Sequence, residues 1–203
     1  MLVHGNKSRF AVMTLAVVAL TACGKKDSGN AADTSAASST AMGADTTAAA
    51  APASGTWTDP NIVALLDEAN MADSANGSIA STKGTASAVR DYGKMMMRDH
   101  HTLRAQGAAL AKKLNVTPQA PSDDPLAPAA QAETNTLNST AKGKDFDKAY
   151  IDGEVDIHKK VLETATKAAD QTQNTELKNL IQKAAPLIQA HLTRAESIQK
   201  TLK

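Results

Sequence analysis

The sequence predicts an all-α fold, an antiparallel four-helix bundle. Three observations carry that expectation. Four long stretches place apolar residues at steps of three and four, the spacing of one helix face. No stretch alternates apolar and polar residues as a half-buried strand does. Beyond residue 58 the chain is rich in Ala, Leu, Lys, Gln and Glu, all good helix formers.

The first helix is expected over residues 59–82. Thr58 and Asp59 offer caps, and Pro60 sits in the first turn, where its missing N–H costs nothing. Its apolar stripe is Ile62, Leu65, Leu66, Ala69, Ala72, Ile79 and Ala80, and Gly84 ends it. The second helix covers residues 87–114. Val89, Gly93, Met96, His100, Leu103, Gly107, Leu110 and Leu114 alternate steps of four and three along one seam. Residues 116–128 hold Pro118, Pro121, Pro125 and Pro128 and read as a loop able to cross the end of the bundle. Residues 129–141 form a short helix with Leu137 as its one large apolar residue. The third long helix spans 145–169, with stripe Phe146, Tyr150, Ile151, Ile157, Val161 and Ala165. The fourth spans 175–202, with stripe Leu177, Leu180, Ile181, Leu187, Ile188, Leu192 and Ile198; Pro186 is expected to kink it. The bundle therefore has one longer connection, between its second and third long helices.

Residues 1–23 read as a lipoprotein signal peptide. Lys7 and Arg9 precede an apolar run over 10–20, shorter than the ~20 residues a bilayer span needs. Leu20-Thr21-Ala22-Cys23 resembles a bacterial lipobox, in which the cysteine is lipidated and becomes the new N-terminus. Cys23 is the single cysteine of the chain, which excludes an intrachain disulfide and a structural thiolate zinc site. Gly24, rather than Asp, follows it, which points to the outer membrane, facing the periplasm, with attachment through the lipid on Cys23. Residues 24–58 are an Ala/Ser/Thr-rich tether expected to be disordered, since they carry too little apolar surface to offset ordering entropy. Residues 59–203 make one domain. Lys and Arg number 22 against 21 Asp and Glu, a net charge of +1, and the chain has two Phe, two Tyr and one Trp. Neither a basic footprint nor a stacking platform for nucleic acid can be built from that.

The polar residues on the apolar faces are the functional candidates. At ~100° per residue, Glu154 falls at the centre of the third long stripe, with His158 one turn on. His191 centres the fourth stripe, His100 lies on the seam of the second, and Asp73 and Asn76 fall inside the first. Asp99 sits at an edge and His101 points outward. Glu154 and His191 are nearly equidistant from a turn at Thr172 and are expected to face each other. Counted from Gly84, Asp73 and His100 are offset by ~7.5 Å at 1.5 Å per residue.

His100, Glu154, His158 and His191 are thus the expected metal ligands, with Asp73 and Asp99 as supporting carboxylates. Imidazole and carboxylate together suit one transition-metal ion, Fe, Zn, Cu or Ni. The di-iron bundle pattern needs a Glu from each of two helices and Glu-x-x-His from each of the others. Here one stripe Glu is present and Glu154 and His158 stand four apart, so a mononuclear site is expected. The competing reading is a polar layer that only specifies packing, with Glu154 and His158 satisfying each other at i, i+4. Met96 lies on its stripe, Met97 flanks it and Met95 faces out; core packing accounts for them before copper does. The domain has no cysteine, phosphate loop or strained serine elbow, so the reading leans away from an enzyme, with no catalytic residue assigned.

Met71-Ala72-Asp73, Met96-Met97-Arg98-Asp99-His100, Phe146 to Ile151, Glu154 to His158 and Ala185 to Leu192 occur in the order seen in a bacterial secreted family. Over 59–203 the chain resembles that family, domain of unknown function 4142, often labelled a predicted outer-membrane protein. The resemblance implies a ferritin-like bundle and recurring polar positions at Asp99, His100, His158 and His191. It also implies Glu where this chain has Asp73. It implies no established reaction. The expected function is a lipid-anchored periplasmic bundle that binds a metal or small ligand, with a role in envelope stress by fold analogy. The alternative is a non-enzymatic envelope interaction protein, and a metal-dependent oxidoreductase is a third.

Overall fold

A computed structural model describes residues 55–202. The residues read as a signal peptide, Cys23 among them, and most of those read as a tether lie outside the described residues. Those described form five helices and no strand: α1 Asp59–Lys83, α2 Ser87–Leu114, α3 Ala127–Ser139, α4 Lys144–Gln171 and α5 Thr175–Thr201.

Local chemistry sets the boundaries. Thr58 and Asn61 close a reciprocal capping box at the start of α1: Asn61 N donates to Thr58 Oγ1 at 3.4 Å and Thr58 N to Asn61 Oδ1 at 3.0 Å. The α2 start has no cap of its own. Buried Asp147, from the first turn of α4, accepts instead from Thr85 N and Ala86 N, each at 2.7 Å, and from the Thr85 hydroxyl. A carboxylate at that end also complements the helix dipole. Asn115 closes α2 in the left-handed conformation, φ 53°. Asn174 caps α5, which runs unbroken through Pro186. Leu187, expected in the α5 stripe, is 37% exposed.

α1 and α2 pack antiparallel through a very close contact. A Cβ on Gly77 would lie 2.6 Å from the Gly93 carbonyl oxygen, and one on Gly93 the same distance from that of Gly77. Only glycine lets the two backbones meet there. α4 and α5 form the second antiparallel pair. Thr172 donates to Asp59 at 2.6 Å, which sets the α4 end beside the α1 start. Lys113 pairs with Glu176, which sets the α2 end beside the α5 start. The four long helices therefore run in a ring, α1, α2, α5, α4, each antiparallel to its neighbours.

That order obliges the α2–α4 connection to climb the full height of the domain, and α3 does the climbing. It begins at Ala127, two residues before the expected start, with Pro128 in its first turn. Asp124 accepts from Leu126 N at 2.7 Å and Ala127 N at 3.0 Å. α3 packs on α1 and α4: Leu137 is fully buried, Thr134 donates to Asn76 at 2.8 Å, and Lys83 Nζ donates to Leu137 O at 2.6 Å. Ahead of α1, Trp57 is 4% exposed; its indole N–H donates to Asp123 at 3.1 Å and Lys167 Nζ lies 3.8 Å from its ring. The last residues assigned to the tether thus dock on the folded part.

The interior holds two apolar clusters. One gathers Ile62, Leu65, Ile157, Val161, Ile181 and Ile188; the other Tyr92, Met96, Phe146, Tyr150, Ile151 and Leu192. On every long helix the changeover between them falls at the inward polar residues.

Two stability outcomes follow from these contacts. Gly107→Ala meets nothing within 4 Å and should raise stability by ~0.5–1 kcal/mol through helix propensity. Gly93→Ala should lower it by ~1–3 kcal/mol, because the backbones must separate. Thermal melts followed by circular dichroism check this, and shifts of the same sign would refute the close-contact account. Asp147→Ala should cost ~1–3 kcal/mol in urea titrations, with Asp147→Asn recovering part of the loss; an unchanged midpoint would show that water replaces the cap.

Candidate metal centre

Each of the four long helices sends a polar side chain into the layer between the apolar clusters. α1 supplies Asp73, α2 His100, α4 Glu154 and His158, and α5 His191. All five are at most 1% exposed. The imidazole centroids stand 5.2 Å apart for His100–His191, 5.6 Å for His158–His191 and 5.7 Å for His100–His158.

Each ring is tied by one nitrogen. Asn70 donates its amide to Leu66 O at 2.6 Å, so its oxygen accepts from His100 Nδ1 at 2.9 Å. His158 Nδ1 donates to the backbone carbonyl of Glu154 at 2.9 Å. His191 Nε2 donates to Asp99 Oδ2 at 3.0 Å. The other nitrogens, His100 Nε2, His158 Nε2 and His191 Nδ1, are buried without a hydrogen-bond partner. All four carboxylate oxygens of Asp73 and Glu154 are likewise unpartnered. Ligand atoms of His100, His158 and His191 lie within 4.8 Å of one another, and so do those of Asp73, Glu154 and His158.

Burial governs the charges. It pushes His100 down to about 2, with the neighbouring His158 and His191 adding to the effect. It pushes His158 down to about 4, again with His191 adding. His191 is also held low by burial, against the pull of Asp99. The three imidazoles are therefore neutral and carry free lone pairs. Burial, then the charge of Glu133, drives Asp73 well above the usual carboxylate range. Burial, then Glu133 and Asp73, does the same to Glu154, with the Tyr150 and Tyr92 hydroxyls opposing. Burial pushes Asp99 up, but hydrogen bonds from His191 and Arg98 more than offset it and hold that carboxyl low. Seven buried polar atoms without a hydrogen-bond partner, three imidazole nitrogens and four carboxyl oxygens, are costly in a protein interior. A divalent cation would satisfy the lone pairs and let the carboxyls ionise, so the donor set fits a metal ion.

The structure corrects two expectations, the height of Asp73 and the orientation of Met95. Glu154 and His158 do pair at i, i+4, with His158 Nδ1 3.3 Å from Glu154 Oε2, but the ring N–H makes its shorter contact, 2.9 Å, to the Glu154 backbone oxygen. Asp73 is not a distant support, since its Oδ2 lies 3.5 Å from His100 Nε2. Gly77 faces Gly93, which leaves Asp73 and His100 only three residues apart in height, ~4.5 Å, within reach of an imidazole. Glu154 groups with Asp73 and His158, whereas His191 groups with His100 and His158, so His158 is the shared member. Met96 is buried in the apolar cluster with its Cβ against Gly77, and Met95, expected to face out, is half-buried against the same cluster.

Over residues 44–198 the chain matches the family described as Domain of unknown function (DUF4142). The chain belongs to that family. No curated protein matches it. Among solved structures it is similar to CopM in the Cu(II)-bound form, with a TM-score of 0.58 and 12% identity, covering 73% of this chain and 99% of that one. At that identity the likeness is one of fold.

Two residues of this DUF4142 domain, one at the site and one beside it, escaped the sequence reading. Asn70, half-buried, orients His100, and its place three residues before Asp73 on the same helix face was the available signal. Glu133 lies on α3, four residues before Leu137 and so on its buried face.

The metal-free protein should show an opposed pH response. Its unfolded chain binds histidine protons that the folded chain refuses, so those groups make stability rise with pH up to ~6.5. Its folded chain holds carboxyl protons at Asp73 and Glu154, and at Glu133, which burial pushes up to about 7, that the unfolded chain releases. Those groups make stability fall as pH rises, and above ~6.5 they act alone. Denaturant titrations of chelator-treated protein at pH ~6.5 and ~8 should therefore show lower stability at the higher pH; a gain would refute the assignment of protonated carboxyls.

Proposed function

We propose that this domain binds one divalent transition-metal ion through His100, His158 and His191, with Asp73 and Glu154 supplying carboxylate oxygens. The observation that carries the reading is the state of the three rings. Each has one nitrogen held by an acceptor and the other bare and turned to a common space. That is the arrangement by which proteins fix the tautomer and aim of a metal-binding histidine. A purely structural layer has no use for seven unpartnered polar atoms.

Cu(II) is the ion this reading favours. Imidazole and carboxylate donors bind the divalent series with copper at its peak, and the fold is shared with CopM in a Cu(II)-bound form. The four long helices and the α3 crossover are read as a ferritin-like four-helix bundle. A lipid on Cys23 would hold the domain at the outer membrane, facing the periplasm. Sequestering a metal ion there would serve envelope stress, by fold analogy.

The test is elemental analysis of the full chain, purified without a histidine tag or chelator. About one ion per chain is expected, lost in His158→Ala and His191→Ala while the far-ultraviolet spectrum stays helical. Asn70→Ala and Asp99→Asn should each weaken Cu(II) binding ~10–100-fold, since they only orient the rings. No metal in the wild type, together with no rise in melting temperature on adding Cu(II), Zn(II), Ni(II) or Fe(II), would overturn the reading.

A further inference from the structure

Glu133 is a buried carboxylate that the centre does not employ. It is 9% exposed, and neither of its oxygens has a hydrogen-bond partner. Packing does not explain it: the face of α3 that carries Ala130 and Leu137 would fill its groove with apolar side chains alone. The fold instead makes room for it. A Cβ on Gly153 of α4 would stand 2.8 Å from Glu133 Oε1. On the α1 side, Thr134 holds the Asn76 oxygen at 2.8 Å and Asn76 Nδ2 faces the Glu133 carboxylate, where it opposes the upward push of burial.

Glu133 stands between outside and inside. Its contact at Gly153 lies next to Glu154 and three residues before exposed Asp156 on α4, and Asn76 lies three residues after Asp73 on α1; Asp156 accordingly acts on its charge, and its own charge acts on Asp73 and Glu154. It is not part of the group whose ligand atoms lie within 4.8 Å of one another. The carboxylates thus descend from exposed Asp156 through Glu133 to fully buried Asp73 and Glu154. Above and below the layer lie the two apolar clusters, and the pocket that reaches His100 past Asn70 is otherwise walled by apolar residues such as Leu66, Leu103, Val161 and Ile188, with no carboxylate to receive a cation. The cleft between α2 and α5 is lined by exposed Lys183, and its carboxylate, Asp99, is taken by Arg98 and His191.

We propose that the packing seam where α3 meets α1 and α4, at Glu133, Asn76 and Gly153, is the cation's route into the centre, and that Glu133 is the transient ligand that passes the ion from Asp156 to Asp73 and Glu154. The inference rests on the metal-binding reading above. A dehydrating ion crosses apolar packing only if oxygen ligands replace its water in steps, and aligned carboxylates also raise its local concentration. A transient ligand changes how fast the ion comes and goes, and leaves the final coordination alone.

The experiment is stopped-flow mixing of the metal-stripped full chain with Cu(II), followed by quenching of intrinsic fluorescence. Release into excess chelator and the equilibrium Kd are measured alongside. Glu133→Gln should slow both uptake and release by about tenfold or more, with Kd shifted by less than threefold. Gly153→Ala should do the same, because its methyl displaces the Glu133 carboxylate without altering any charge, and it favours a folded helix. Asp91→Asn, an exposed acid elsewhere on α2, should change nothing. Unchanged rates in both variants would overturn the route. A lost Kd with an unchanged uptake rate would overturn it too, by making Glu133 a permanent ligand. A wild-type chain that binds no Cu(II) at equilibrium would instead bring down the metal reading itself.

Discussion

The chemistry of this domain turns on where three imidazoles put their single protons. Asn70, the Glu154 carbonyl and Asp99 each take an N–H, and each thereby decides which nitrogen is left as a lone pair. Had the rings bonded to one another, or to Asp73 and Glu154, the layer would be a closed network and the interior would be content with it. The acceptors lie instead behind the rings, on their own helices or the next. One of them is a backbone carbonyl that no substitution can remove. The inward space is left with three bare imidazole nitrogens and the carboxyls of Asp73 and Glu154, none of them hydrogen-bonded.

Such a layer is expensive, and the domain is built to hold it. The apolar clusters on either side supply the cohesion, with Phe146, Tyr150, Ile151 and Ile62 among the side chains that exclude water completely. Burying each large side chain contributes about 1.5–3 kcal/mol, which is enough for two flanking clusters to hold a strained middle. The same walls give the layer its low dielectric, which keeps the imidazoles neutral and the carboxyls protonated.

The long helices and their inward histidines were legible because both depend on one rule. A residue's face on a helix follows from its position modulo 3.6, and His100, His158 and His191 fall on their stripes by that count alone. Proton placement is not legible this way, since it depends on which acceptor lies within 3 Å, as with His158 choosing the backbone oxygen over the Glu154 side chain. Glu133 was not legible because its helix carries one large apolar residue and its importance comes from lying across α4 at Gly153, a contact between distant parts of the chain. The height of Asp73 relative to His100 was misjudged for a similar reason. Counting from the turn at Gly84 ignores that interhelical register is set where backbones touch.

That register explains how this chain manages with a short acid on α1. Family resemblance implies Glu at position 73, and Asp is one methylene shorter. The Gly77–Gly93 contact sits one turn from Asp73, and there the two backbones approach to a distance that any side chain would forbid. Drawing α1 toward α2 at that point carries the Asp73 carboxylate to 3.5 Å from His100 Nε2, so helix proximity supplies the reach that the side chain lacks. The glycines and the aspartate are therefore one device. Lengthening the acid without parting the helices would push a carboxylate into the imidazoles, and parting the helices without lengthening the acid would withdraw an oxygen donor from the centre.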